Sequence, residues 1–305
     1  MRTDPFGRSA YEQRPQRRGI NLRWIILVAF AAYAAWSWFG SKQTDPYTGA
    51  DAHYGASPEE EAELGAQAYQ EVLGDAQAQR ALVPANEQVS QQVRAIAQRL
   101  IARVPQVAAD LAAEHGQPVP DLSNYQWDVN VIASDEANAF CLPGGKIAVY
   151  TGLIPVAQNA DAMSVVMGHE IAHALLRHGA QRMAQQKLVQ LGQVAAGISG
   201  IDQQTMAALG AGIQYGIVLP YGRNHETQAD EVGLMLAAAA CYDPAQAVPL
   251  WERMSQLNGG QRPPEFASTH PDPANRIARL QELQPRAQAF YRKYCSGQGA
   301  ATGMR

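Results

Sequence analysis

The sequence has no internal repeat, no low-complexity tract and little cysteine, with three residues at positions 141, 241 and 295. A repeat array is thereby excluded, and at most one internal disulfide pair can form. Positive charge is in the minority beyond residue 23, with 18 lysines and arginines against 26 acidic residues. Arg2, Arg8, Arg14, Arg17, Arg18 and Arg23 face only Asp4 and Glu12, a local +4, which leaves −8 on the rest of a chain whose net charge is −4. That remainder is no nucleic-acid binder by charge. The chain has 305 residues, 47% of them hydrophobic and 17% charged, enough for one main domain with a sizeable core.

One stretch combines buried-helix composition with ionisable residues. His169-Glu170-Ile171-Ala172-His173 sits in an apolar run that reads as helix from Ala160 to about His178, among Ala162, Met163, Val165, Val166, Met167, Leu175 and Leu176. Residues four apart share a helix face, so both histidines can aim at one point with Glu170 beside it. Two histidines and a glutamate in an apolar setting each cost free energy unless paired or metal-bound. The pattern points to a zinc hydrolase, in which imidazoles hold the metal and a water in an open position has its pKa lowered to roughly 7. Glu170 is then the general base. The competing reading is a pair of hydrogen-bonded core histidines.

A third ligand must come from elsewhere. The metzincin continuation is absent, because Leu176 stands where its glycine would be and Gly179 where its last histidine would be. On a continuing helix His178, nine residues after His169, points to the opposite side, as a helix-end histidine facing the dipole. Glu226 and Asp230 are the better pair. They lie four apart in Arg223-Asn224-His225-Glu226-Thr227-Gln228-Ala229-Asp230-Glu231, where Glu226 can ligate zinc and Asp230 can accept the free N–H of a ligand histidine. Glu231 is expected to face solvent. His225 is the rival ligand, and an acidic helix start capped by Asn224 explains the same residues without a metal.

With these residues in place, the chain resembles the gluzincin membrane-associated zinc peptidases, the family of HtpX, the CAAX prenyl proteases and the mitochondrial inner-membrane stress protease. Two more stretches carry the resemblance: Asn138 to Lys146 followed by Tyr150-Thr151-Gly152-Leu153, and Ser268-Thr269-His270-Pro271 with Arg276-Ile277. It covers about Ser57 to Leu283. The resemblance implies a mainly α, α+β zincin-like fold, with a small antiparallel sheet beside the metal helix and one Zn2+ per subunit. It also implies that Asn138, Ala139, Phe140 and Cys141 form an edge strand lining the cleft. Such an edge can take an extended substrate by main-chain hydrogen bonds, which favours unfolded or misfolded proteins. An ordinary hairpin with a Pro-Gly turn is the plain alternative. His270 is a candidate for regulation or for stabilising the transition state, and its plain role is a loop histidine. The second functional class is a membrane-anchored chaperone or assembly factor with little proteolysis.

From Trp24 to Ser41 no residue is charged, and eighteen such residues just suffice to cross a bilayer as helix. With the arginines before it, the positive-inside rule predicts a single-pass inner-membrane anchor, a cytoplasmic tail over 1–23 and a periplasmic peptidase domain over 57–295. A cleaved signal peptide ending near Ala32-Tyr33-Ala34 is the alternative. Residues 42–56 read as a tether and 296–305 as a flexible tail. Ser57 caps a helix opened by Pro58 and three glutamates. Helical patterns cover Asn86 to Arg103 and Gln106 to His115, and Tyr125 to Val131 alternates as a strand beside Lys146 to Thr151. The Ala- and Gly-rich stretch from Gln181 to Leu219 reads as two helices over the cleft. In an oxidising compartment Cys241 and Cys295 can pair.

Overall fold

The computed structural model describes residues 22–199, 204, 219–257 and 273–296. Helix α1 (Leu22–Gly40) leads into a two-stranded antiparallel hairpin, β1 (Lys42–Thr44) and β2 (Asp51–His53). The expected tether is therefore ordered. Asp45, itself buried, accepts from the backbone N–H groups of Tyr47 (3.0 Å) and Thr48 (2.9 Å), and this local turn drops Tyr47 into the main core. Gly55 N–H then donates to the Ala180 carbonyl at 2.9 Å. Composition pointed to a tether here, and showed neither the turn nor the core contact that holds it.

Helix α2 (Pro58–Ala78) begins in a full capping box between Ser57 and Glu60. Helices α3 (Gln88–Ile101) and α4 (Val104–Glu114) follow the apolar periodicity and bury Val93, Ala97, Leu100, Val107 and Leu111. Next come β3 (Asp128–Ile132), β4 (Ala139–Leu142) and β5 (Lys146–Tyr150), in the order β3-β5-β4. The sheet is mixed, not antiparallel as expected. β3 runs parallel to β5, with Val129 beside Ile147, whereas β4 runs antiparallel to β5, with Cys141 beside Ile147. The chain reverses after β3, forms β4 at the far edge, and returns through the Pro143-Gly144-Gly145 turn into the gap between them. Alternation identifies strands but is blind to that order. Gly144 and Gly145 both have positive φ, and a side chain on Gly145 would strike the Trp127 ring.

A short α5 (Ile154–Ala157) precedes α6 (Ala160–Leu175), which carries the histidine motif and is capped by the Asn159 side chain. Then come α7 (His178–Ser199), α8 (Leu219–Ala239), α9 (Ala247–Leu257) and α10 (Pro273–Cys295). The core forms where α6 lies between β4, α3 and α8. Cys241, just after α8, is disulfide-bonded to Cys295 at the end of α10. Among the described residues no helix is long and apolar enough to cross a membrane. Helix α1 packs along α7, and its Trp38 stacks on His53 with ring centroids 3.7 Å apart.

Candidate metal centre

Helix α6 is buried along nearly its whole length, so its polar residues need partners inside the protein. His169 and His173, one turn apart, bring their Nε2 atoms to 3.0 Å. Helix α8 crosses at two glycines. A side chain on Gly168 would meet the Gly233 carbonyl, and one on Gly233 would meet the His169 backbone nitrogen. That close approach carries Glu226 to the histidines, with Oε2 3.4 Å from His169 Nε2 and Oε1 3.4 Å from His173 Nε2. One donor atom from each of the three residues falls within 4.8 Å of the others. Two neutral imidazoles and one carboxylate are the donor set of an open zinc site. Glu170 lies next to His169 on the same helix and is 5% exposed.

Asp230 stands behind His169. Its Oδ1 is 3.0 Å from His169 Nδ1, where a proton on that nitrogen would donate to the carboxylate, and Arg276 Nη2 lies 2.9 Å from the same nitrogen. Arg276 of α10 is buried with them. Its Nε donates to Asp230 Oδ1 at 3.0 Å, its Nη1 donates to Glu226 Oε2 at 3.1 Å, and its guanidinium lies 3.7 Å over the Trp251 ring. Burial and the Arg276 charge oppose protonation of His169, but the hydrogen bonds to Asp230 and Glu226 outweigh them and raise its pKa to about 9.

His178 is not where a continuous helix would put it. Helix α6 stops at Leu175, Arg177 takes φ 54°, and α7 starts afresh at His178. A positive φ at arginine is unfavourable, and it is offset by anchoring: Arg177 Nε donates to the buried Glu61 at 2.7 Å, Nη2 donates to the Ala56 carbonyl at 2.7 Å, and the guanidinium sits over Tyr54. The break swings His178 inward. It is 2% exposed, its Nδ1 lies 2.8 Å from His173 Nδ1, and its Nε2 lies 3.1 Å from Gln228 Oε1. Burial, then the neighbouring His225, holds its pKa well below the usual range.

The rival ligand His225 stacks on His178 and places Nε2 3.2 Å from Gln181 Oε1, and it is not one of the three residues whose donor atoms converge. Burial, then the charge of Arg182, pushes its pKa down to about 4. Glu231 is half-buried and paired with Arg286. Strand β4 begins at Ala139, one residue later than expected, and pairs with β5 alone among the described residues, so it is the sheet edge. The Asn138 carbonyl accepts from Tyr150 N–H at 3.0 Å. Ala139 and Cys141 are buried, while Phe140 and Leu142 are half-buried on the other face. Burial pushes the Cys141 thiol up, followed by the Glu170 charge, which makes it a packing residue. His270 lies outside the described residues, as does most of the expected second helix before Leu219.

Two residues at the centre were not placed there by the sequence, and His178 was expected to point away from it. Arg276 stood in the sequence only as part of a motif, and its burial against two carboxylates needs the α10 contact. For His178 a signal was available, because Gly179 beside it marks a possible helix end.

Residues 98–284 match peptidase family M48. The chain is 38% identical over 172 residues to mitochondrial metalloendopeptidase OMA1 of Schizosaccharomyces pombe, covering 56% of this chain and 50% of that protein. It is 35% identical over 185 residues to the human mitochondrial metalloendopeptidase OMA1, covering 57% and 35%. It is 32% identical over 171 residues to the β-barrel assembly-enhancing protease of Escherichia coli, covering 51% and 34%. The chain thus spans half or less of the length of these relatives. The expected periplasmic placement behind an inner-membrane anchor is overturned. The more similar of these relatives are mitochondrial, the bacterial one is the less similar, and a charge asymmetry orients only a segment that spans. The matched span and the histidine, glutamate and aspartate positions it contains lead to one assignment: the chain belongs to peptidase family M48, the gluzincin-type zinc metallopeptidases.

Proposed function

We propose that this protein is a zinc-dependent metalloendopeptidase that cleaves unfolded or misfolded proteins in protein quality control, with its peptidase domain over 57–295. The observation that carries this is the convergence of His169, His173 and Glu226 donor atoms within 4.8 Å, with Glu170 buried beside them. His169 and His173 through Nε2, and Glu226 through its carboxylate, would hold the zinc. When bound, zinc supplies Lewis-acid polarisation of a peptide carbonyl and a water acidic enough to react near neutral pH. Glu170 is the group that would take a proton from the attacking water and deliver it to the leaving amine. Asp230 keeps His169 in the tautomer that leaves Nε2 for the metal, and Arg276 balances the charge of the two carboxylates.

Substrate binding falls to β4. Its outer edge, unpaired among the described residues, can accept a peptide in extended form through main-chain hydrogen bonds, a mode that selects for unfolded chain over a particular sequence. The exposed apolar side chains of α1, among them Val28, Trp36 and Phe39, are where we place contact with a lipid surface. The test is cleavage of an unfolded, fluorescently labelled polypeptide by the full chain. Activity is expected to vanish with a zinc chelator and to return on adding zinc. Cleavage that a chelator leaves untouched, or a zinc-loaded protein that cleaves nothing, would sink the reading.

A further inference from the structure

We propose that His178, locked by Gln228, is the positioning residue of the metal ligand His173, so that the two ligand histidines are oriented by different chemistry. The inference rests on the zinc reading of the site. If His173 binds through Nε2, the nitrogen that faces His169 and Glu226, its one ring proton is on Nδ1. That proton points at His178 Nδ1, 2.8 Å away, which must accept it. The proton of His178 is then on Nε2, where Gln228 Oε1 accepts it at 3.1 Å. The opposite arrangement fails. Were the Gln228 amide NH2 turned toward His178, the His178 proton would sit on Nδ1 and meet the His173 proton head on. One assignment therefore satisfies all three side chains.

The supports converge on a short stretch of α8. Glu226 is the ligand, Asp230 backs His169 directly, and Gln228 between them backs His173 through His178. The ring of His225 stacks on His178 at a centroid distance of 4.0 Å and limits its rotation. The two supports differ in charge. Asp230 brings a carboxylate that makes His169 a stronger donor, whereas neutral His178 orients His173 without adding negative charge. The Arg177 turn exists, on this view, to bring His178 back to α6.

Zinc affinity of the full chain, measured by competition with a chromophoric chelator, tests this with His178→Ala, His178→Asn and Gln228→Ala. Asparagine can place an oxygen acceptor near the position of histidine Nδ1, so it should restore most of what alanine loses. His178→Ala is expected to weaken zinc binding about 10- to 100-fold, with Gln228→Ala falling between it and the parent. A packing role alone would lower the melting temperature of both metal-free His178 variants without separating their zinc affinities. Parent-like affinity in His178→Ala, or an equal loss in His178→Asn, overturns the proposal. If His178→Ala does not fold, Gln228→Ala decides it, and parent-like affinity there overturns it. A parent protein that binds no zinc would instead overturn the peptidase reading itself.

Discussion

Helices α1 and α6 are both apolar and similar in length, 19 and 16 residues, yet they meet opposite fates. Helix α1 has few ionisable residues and leaves Val28, Trp36 and Phe39 65%, 71% and 73% exposed. Helix α6 carries two histidines and a glutamate and is buried from Ala162 to Leu175 except at His173. Hydrophobicity therefore did not decide which helix went inside. What decided it was a partner able both to fit and to satisfy: α8 meets α6 backbone to backbone at Gly168 and Gly233, and it brings Glu226 and Asp230 to the imidazoles. Helix α1 has α7 on one side and no comparable contact over its outer apolar face among the described residues.

The sharpest way to break this contrast is at Glu170. Glu170→Gln keeps the shape of the buried site and removes the base, so cleavage of an unfolded polypeptide should fall by about 10²- to 10⁴-fold while zinc content, read by metal analysis, stays at the parent level. Packing comes next. Met167, 1% exposed on α6, should cost about 2–5 kcal/mol when cut to alanine, as a shift in the denaturant midpoint. The glycine contact can be tested by Gly233→Ala, whose methyl group would press on the His169 backbone. An overpacking penalty of about 1–3 kcal/mol is expected, together with weaker zinc binding, since the clash pushes Glu226 away from the histidines. The smallest effect belongs to α1, where Trp36→Ser should change stability by no more than about 0.5 kcal/mol. It should nevertheless reduce flotation with anionic lipid vesicles if that face meets a membrane. A destabilisation by Trp36→Ser as large as that of Met167→Ala would erase the contrast.

Much of the centre was readable from the chain. The four-residue spacing of His169 and His173 is set by helix geometry, and Glu226 with Asp230 repeats that spacing on a second helix, so their convergence needed only that the helices meet. The Ser57 cap was legible for the same reason, being a matter of adjacent residues. Arg276 was not, since a buried arginine is explained only by carboxylates that reach it from another helix. The parallel pairing of β3 with β5 depends on a chain reversal that leaves no periodic trace. Asp45 shows the same limit, because its segment read as a tether, while its turn and the burial of Tyr47 depend on packing against the core.

By itself, then, the sequence determined the chemistry of this protein: which side chains can ligate a metal, which one can move a proton, and which helix face carries them, because each follows from short-range spacing. The tertiary structure decided how those side chains are held. Whether His178 faces solvent or His173 turns on one backbone angle at Arg177, and that angle is maintained by Glu61 and Tyr54, more than a hundred residues earlier in the chain. Local spacing is blind to contacts of that range, since their energy appears only once the distant segments are packed together.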